Sequence, residues 1–493
     1  MSQYSQNDIK EFNDVFKKRM EEVKKKQLVE LEPYGDEKLA VTKIIHDFIK
    51  KKKRKVYGGF AHNLLISDKN PSDAFYDDND FPDMDFYSPD PITDIIEISN
   101  ELHDKNFSPI VGQEAQHEGT YKLFVNYDEY CDISYVPRNI YNKMPFNVVK
   151  GYTVVQPILA YIDYLRMFND PMTSWEIKLE KRFPRYTTLL KYYPLPQISK
   201  PINIKIPSDK TLDTILESIN DYLIDNATLI SIGLNAYNYF RHKNNQNTIQ
   251  TPYYEIISTS FRHDALELIN RLKKISDKIK TEEHYHFFQF FGNSVYIYYD
   301  DHLVSILYTT NGKCIPYNSV HALYFLTNKV EKKTGLINIG SFSLVIQYAL
   351  SGILQARTND DRKTSDIYYN MISHMNDSKN SYIKKHNKNA FDSDIYSDFI
   401  TKCKGATISA KREGLLRAAK KFQKRKPVWR YKPAEKKLTK APETMRFFNS
   451  SGNPINNEKN FYLGEKDIID SETDTDSDSD SEIDTDAINI INE

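Results

Sequence analysis

The chain has 493 residues, enough for two or three domains with sizeable cores. Its 67 Lys and Arg balance 68 Asp and Glu, so the average charge indicates no class of partner. Three widely spaced cysteines, Cys131, Cys314 and Cys403, predict neither a disulfide framework nor a zinc site and indicate a reducing intracellular compartment. The amino terminus is polar, and residues 337–354 are interrupted by Asn, Ser and Gln, so we expect no secretory signal and no membrane span.

The chain begins with a predicted charged helical arm over residues 1–35, most simply a solvated helix. From residue 36 to 53, apolar side chains recur with a helical period, and this helix leads into the β-prone triplet Lys55–Tyr57. Gly58 and Gly59 follow, and a short helix is predicted directly after them. Glycines at a strand-to-helix turn let backbone N–H groups approach phosphate oxygens, although an isolated Gly-Gly pair is more often a plain turn.

Three aspartates give this turn a chemical context. Asp83 and Asp85 stand two residues apart in a predicted strand, so their carboxylates share one face. Asp132 lies within a later β-prone run, where an inward-facing carboxylate is costly unless it has a partner. Three carboxylates beside a phosphate-binding turn would bind two Mg²⁺ or Mn²⁺ ions, which predicts nucleotidyl transfer. The order strand, helix, strand, helix and hairpin predicts an α+β fold with a mixed sheet.

A basic helix is predicted over residues 173–192. Four cationic residues are spaced so that they largely share one face of this helix: Lys178, Lys181, Arg182 and Arg185. They would either contact a nucleoside triphosphate or form a solvated surface.

The order of elements then repeats. Helix 209–225 leads into a segment in which Gly233, Ala236 and Asn238 align with Gly58, Ala61 and Asn63, unless the likeness arose by chance. On this register the three aspartates are replaced by Tyr253, Glu255 and Ser305. One carboxylate is too few to hold two metal ions. We therefore expect a second, degenerate copy of the same fold, forming a wall of the cleft or a dimer surface.

The end of the chain has two halves of opposite charge. Residues 401–446 hold 16 Lys and Arg against 3 acids, with interleaved aromatic residues, a composition suited to phosphate contacts and base stacking. Beyond residue 465, repeated Ser, Thr, Asp and Glu predict disorder. This acidic segment would either compete with RNA for the basic half or serve solubility. The candidate RNA-binding residues are Lys420, Lys421, Lys424, Arg425, Trp429 and Arg430.

The motifs resemble those of the DNA polymerase β-like nucleotidyltransferase superfamily. The segments VYGGFAHN, DMDFYSP and YCDISYVP are similar in particular to the poly(A) polymerase catalytic subunits of poxviruses and giant DNA viruses. An acidic insert, residues 67–80, makes the spacing between Gly59 and Asp83 longer than in many superfamily members.

The resemblance implies template-independent addition of AMP from ATP to RNA 3′ ends. Asp83 and Asp85 would then hold both metal ions, and Asp132 would hold the ion next to the attacking hydroxyl. Gly58 and Gly59 would bind the phosphates, and Asn63 would also contact the nucleotide. The resemblance also implies a homodimer, and a location in the virion and the host cytoplasm. Other readings stay open: a uridylyl- or CCA-adding enzyme, a transferase acting on small molecules or proteins, or a non-catalytic RNA-binding scaffold.

The predicted organisation has five parts. They are a helical arm (residues 1–35), a catalytic nucleotidyltransferase domain (36–200), a degenerate nucleotidyltransferase-like domain (201–400), a basic RNA-binding tail (401–448) and a disordered acidic tail (449–493).

Overall fold

A computed structural model describes residues 35–438, with gaps at 77–79, 118, 198–199, 203, 205, 285–290, 323–334, 390, 393–394 and 424–428, and scattered residues before residue 27. Side chains at 177–178, 410, 413, 417 and 420–423 are also outside the description. The acidic tail and most of the helical arm therefore lie outside the described residues.

The first half of the chain forms a mixed eight-stranded sheet with strand order β16-β3-β4-β5-β2-β1-β7-β6. Its helices are α1 (Gly35–Lys52), α2 (Gly58–Lys69), α3 (Pro91–Asp104), α4 (Arg138–Lys143), α5 (Pro157–Phe168) and α6 (Glu180–Tyr192). Its strands are β1 (Lys55–Tyr57), β2 (Met84–Ser88), β3 (Ile110–Glu114), β4 (Thr120–Val125), β5 (Asp128–Tyr135), β6 (Phe146–Val149) and β7 (Tyr152–Val155), joined at the edge by β16 (Arg430–Tyr431).

The second half forms another eight-stranded sheet, with order β10-β11-β12-β9-β8-β14-β13-β15. Its strands are β8 (Leu229–Ile232), β9 (Tyr254–Ser258), β10 (Ile279–His284), β11 (Ser294–Tyr299), β12 (His302–Thr309), β13 (Ile315–His321), β14 (Leu336–Gly340) and β15 (Cys403–Lys404). The helices that follow α6 are α7 (Lys210–Leu223), α8 (Gly233–Lys243), α9 (Phe261–Lys273), α10 (Phe342–Thr358), α11 (Arg362–His386) and α12 (Ala410–Gln423).

Leaving out the edge strands β15 and β16, the two sheets have the same strand order. Each has a parallel pair at its centre, β2 with β5 and β9 with β12. Each also has a register shift at the matching place in the hairpin beside that pair. The α+β fold with a second copy of the same architecture is therefore confirmed.

One part of the predicted alignment between the copies is wrong. Asp85 pairs with Asp132 in the first sheet, and Glu255 pairs with Ile306 in the second. The counterpart of Asp132 is therefore Ile306, not Ser305. The error is one residue, and it reverses the face of the sheet because successive side chains in a strand point to opposite faces.

The two halves pack through equivalent helices, α5 against α10. Asn169, at the end of α5, donates a hydrogen bond to Oε1 of Gln347 at 3.0 Å and accepts one from Ser343 at 2.8 Å. Both helices are largely apolar and buried. The apolar stretch at residues 337–354 is divided between β14 and α10, and within the described ranges no helix is long and apolar enough to cross a membrane.

The basic segment after residue 400 contacts both sheets. β15 pairs with β13, and β16 pairs with β3 at the edge of the first sheet. Trp429 is buried and packs edge-on against Tyr121, with ring centroids 5.3 Å apart. The prediction that Trp429 is free to stack on RNA bases is therefore wrong, because its indole belongs to the core of the first half.

The cysteine prediction is also wrong in part. Cys314 and Cys403 form a disulfide, with Cα atoms 5.3 Å apart, and Cys131 is free and buried. The disulfide joins the start of the basic segment to the edge of the second sheet. Sequence spacing did not reveal it because the two residues are 89 positions apart and become neighbours only when β15 pairs with β13.

Candidate active site

The glycine turn is fitted closely to the first carboxylate strand. β1 ends at Tyr57, and α2 begins at Gly58, whose φ is +71°. A β-carbon at position 58 would lie 2.0 Å from Oδ2 of Asp85, so the close approach and the left-handed backbone both require glycine here. The amino terminus of α2, with its free backbone N–H groups, therefore lies beside the Asp85 carboxylate.

Asp85 and Asp132 lie directly opposite each other on the parallel strands β2 and β5. Asp83 is exposed and precedes β2, two residues before Asp85. Burial raises the pKa of Asp85 well above its usual range, and the charges of Asp132 and Asp83 raise it further. The structure thus brings the three predicted carboxylates together in one cluster, in which the negative charges of Asp132 and Asp83 repel that of Asp85.

A lysine that the sequence reasoning missed lies within this cluster. Lys122 on β4 is the register partner of Asp132, and its ammonium lies 3.1 Å from Oδ1 of Asp132 and also pairs with Glu129. Burial raises the pKa of Asp132 to about 6 against the lowering effect of Lys122. The sequence signal for Lys122 was the alternation of side chains along β4, because in a hairpin it places one polar residue of β4 next to Asp132.

The predicted cations of the following helix approach the same region. Burial raises the pKa of both Asp83 and Asp85, and the charges of Lys181 at Asp83 and of Arg182 at Asp85 oppose this rise, so both cations act on the carboxylates. Arg185 is buried, with its guanidinium 4.0 Å from the ring centroid of Phe75, and its Nη1 would lie 3.3 Å from a β-carbon at Gly59. The backbone places Lys178 in a π-helical turn, Trp175–Leu179, before α6, and its side chain is outside the description.

Comparisons with known proteins agree with this geometry. Residues 43–174 match the family model described as poly(A) polymerase catalytic subunit, and residues 187–465 match the model for the C-terminal part of the mimivirus poly(A) polymerase catalytic subunit. A protein of Acanthamoeba polyphaga mimivirus named as a poly(A) polymerase catalytic subunit is 34% identical over 86% of this chain and 78% of its own length. The chain belongs to the poly(A) polymerase catalytic subunit family.

More distant relatives and a solved structure support the same family. A protein of African swine fever virus with the same name is 29% identical over 32% of this chain and 34% of its own length. The crystal structure of the Megavirus polyadenylate synthase superposes with a TM-score of 0.82 at 30% identity, covering 94% of each chain. The likeness to that structure extends through both sheets, so the degenerate copy is part of the shared fold.

The carboxylates of this family member suit divalent cations. The ammonium of Lys122 donates a hydrogen bond to Oδ2 of Asp132 at 3.3 Å and lies 3.1 Å from Oδ1, which is buried and accepts no hydrogen bond from the described residues. Burial raises the pKa of all three carboxyl groups, and the charges of Asp132 and Asp83 raise that of Asp85 further, so the one lysine does not balance the negative charge of these hard oxygen ligands. Mg²⁺ or Mn²⁺ would supply the additional positive charge.

Asn63 has a structural contact in this poly(A) polymerase family member. Its Oδ1 accepts hydrogen bonds from the backbone nitrogens of Phe75 at 2.8 Å and Tyr76 at 3.1 Å. Asn238 does the same for Ile249 in the second copy, at 2.9 Å. The shared asparagine therefore holds the segment after the glycine helix, and a contact of Asn63 with nucleotide stays a prediction.

The second copy has lost the ionic character of the site. Tyr253, Glu255 and Ile306 replace the three aspartates, and Tyr296 replaces Lys122. Glu255 is buried, accepts a hydrogen bond from the hydroxyl of Tyr368 at 2.9 Å, and has its pKa raised by burial to about 7. A single carboxyl group among tyrosines is a poor site for two divalent ions.

Proposed function

We propose that this protein is a template-independent polynucleotide adenylyltransferase that adds AMP from ATP to RNA 3′ ends. The observation that carries the proposal is the pairing of Asp85 with Asp132 on adjacent parallel strands, beside a glycine turn that opens a helix. Family membership supports ATP as the nucleotide and RNA as the acceptor. The uridylyl and CCA-adding alternatives are outcomes of the test below.

Asp83 and Asp85 would hold two divalent ions, and Asp132 would hold the one nearer the attacking hydroxyl. When bound, such ions lower the pKa of a hydroxyl nucleophile and neutralise charge that develops on phosphates. The 3′ oxygen of RNA attacks the α-phosphorus of ATP, the bond to the bridging oxygen breaks, and pyrophosphate leaves. Asp132, whose pKa burial raises to about 6, would accept the proton that the 3′-hydroxyl gives up.

The cationic helix would bind the triphosphate. Arg185 lies beside Gly59, where backbone N–H groups of α2 favour an anion, and the charge of Arg182 acts on Asp85. We include Gly58, Lys178 and Lys181 in the same proposed nucleotide-binding set. The planar guanidinium of Arg185 is already oriented by Phe75, so little ordering is needed when phosphate binds.

The basic segment would guide RNA. Arg430 is exposed at the sheet edge. The other candidate residues precede it in sequence and have side chains outside the described part of the chain: Lys420, Lys421, Lys424 and Arg425.

We also propose the homodimer that the resemblance implies, which sedimentation of the purified chain would test. The proposed location in the virion and the host cytoplasm would be tested by analysis of purified particles.

The test uses the full chain, Mg²⁺ or Mn²⁺, a labelled oligoribonucleotide and each nucleoside triphosphate in turn. We expect extension with ATP, and a loss of at least about 10³-fold in Asp85→Asn, because the change removes one charge and little volume. Glu255→Gln is the matched control and should extend RNA at nearly the wild-type rate. Preference for UTP or CTP would overturn the adenylyl proposal. An equal loss in Glu255→Gln would overturn the assignment of the chemistry to the first sheet.

A further inference from the structure

The ring of Tyr57 lies next to the carboxylates. Tyr57 is the register partner of Asp85, which is in turn the partner of Asp132, so all three side chains leave the same face of the sheet. The charges of Asp85 and Asp132 both raise the pKa of Tyr57, together with its burial. The residue as a whole is nevertheless only partly buried.

Two contacts fix the position of this ring. Its hydroxyl is hydrogen-bonded to Oγ of Ser134 at 2.8 Å, and Ser134 is hydrogen-bonded to Thr120 at 3.1 Å. The ring also stacks flat on Tyr87, with centroids 4.0 Å apart and planes 6° from parallel. Tyr87 is buried, so it supports one face of the Tyr57 ring from below. An aromatic ring held at both its edge and its face loses little entropy when a planar group stacks on it.

The degenerate copy shows that the fold does not require this arrangement. The same register places Ile232 at the position of Tyr57, Ile257 at that of Tyr87 and Tyr308 at that of Ser134. The strands of the second sheet form without the stacked pair and without its serine anchor. The tyrosine stack is therefore present in the copy that has the three carboxylates and absent from the copy that lost them.

We propose that Tyr57 is a stacking platform for the 3′-terminal base of the acceptor RNA, an inference that rests on the proposed function. The Tyr57 side chain reaches from β1 across β2 to Ser134 on β5, the strand of Asp132, which is the side assigned to the attacking hydroxyl. The proposed triphosphate side, in contrast, includes Gly59 and Arg185, whose guanidinium lies beside that glycine. Stacking tolerates any base, which suits an acceptor whose end changes from transcript sequence to adenines.

The test combines kinetics with a binding signal that does not depend on chemistry. Tyr57→Ile copies the residue found in the second copy, Tyr57→Phe keeps the ring without its hydroxyl, and Tyr369→Ile, at an exposed position on α11, is the control. We expect Tyr57→Ile to raise the KM for RNA about tenfold and the KM for ATP less than twofold, with Tyr57→Phe between wild type and Tyr57→Ile. Circular dichroism confirms that each variant is folded.

The second readout is the fluorescence of 2-aminopurine at the 3′ end of the RNA, measured without ATP. Stacking on Tyr57 should quench it in the wild type and in Tyr369→Ile but not in Tyr57→Ile. Quenching that persists in Tyr57→Ile, or a KM increase for ATP instead of RNA, would overturn the proposal. Failure of the wild type to extend RNA would instead contradict the proposed function, so the two failures are distinguishable.

Discussion

The carboxylate of Asp85 fills the space that any side chain at Gly58 would need, with only 2.0 Å between its Oδ2 and the position of a β-carbon. The same relationship holds between Gly233 and Glu255, at 1.9 Å, and both glycines have positive φ. The pair is therefore a property of the fold that both copies keep. Only the first copy adds the second and third carboxylates that turn the contact into a candidate metal site.

Gly58→Ala should reduce RNA extension about 10²-fold, because Asp85 must move away from Asp132 to admit the methyl group. Backbone strain at positive φ should also cost about 1–3 kcal/mol of unfolding free energy. Extension rates and urea unfolding curves measure the two effects. Gly233→Ala is the matched control: it should lose similar stability and keep its extension rate per folded molecule. A comparable loss of rate in Gly233→Ala would show that the second copy takes part in the chemistry.

Arg185→Lys should raise the KM for ATP about tenfold and leave Mn²⁺ binding unchanged. The guanidinium stacks on Phe75 and reaches the region of Gly59 as a plane, whereas an ammonium is a point charge that does not stack in this way. Steady-state kinetics with ATP varied measures the change. Arg357→Lys, at an exposed position near the end of α10, serves as the control. An unchanged KM would assign Arg185 to packing of residues 75 and 76 alone.

Glu255→Gln should stabilise the protein at alkaline pH. Burial raises the pKa of Glu255 from 4.5 to about 7, so the folded state favours the protonated carboxyl. The stability that this proton contributes is fully present below pH 4.5 and is lost as the pH rises through about 7. The shift corresponds to roughly 3 kcal/mol, and the glutamine variant should lack this pH dependence.

Unfolding free energies measured between pH 5 and pH 9 test this prediction, with Glu217→Gln, at an exposed position on α7, as the control. Identical pH dependence in Glu255→Gln and wild type would contradict the protonated carboxyl.

Trp429→Ala should destabilise the protein by about 3–5 kcal/mol, because the indole packs on Tyr121 and the residue directly precedes β16, which pairs with β3 at the edge of the first sheet. Arg430→Ala, at the neighbouring exposed position, should change stability by less than about 0.5 kcal/mol and weaken RNA binding in a salt-dependent way. Urea unfolding and RNA titrations at two salt concentrations separate these effects. Weaker RNA binding in a Trp429→Ala protein of undiminished stability would restore the base-stacking interpretation.

The local features of the site could be predicted from the sequence alone. Glycine is needed wherever φ is positive and backbone passes close to another group, so Gly58 was recognisable from its place between a strand and a helix. Asp83 and Asp85 were recognisable from their spacing of two residues, and Asp132 because a carboxylate in a β-prone segment requires a partner. The repeat was visible because helical and strand periodicities recur in the same order.

Contacts between residues that are distant in sequence could be identified only from the tertiary structure. Lys122 is the partner of Asp132, and Ile306, not Ser305, is the counterpart of Asp132 in the second copy. Trp429, which was predicted to contact RNA, lies in the core. Each of these depends on strand register or on an edge pairing, and a shift of one residue reverses the face on which a side chain lies. The chemical roles of the residues could therefore be predicted from the sequence, whereas their partners depend on how the strands align.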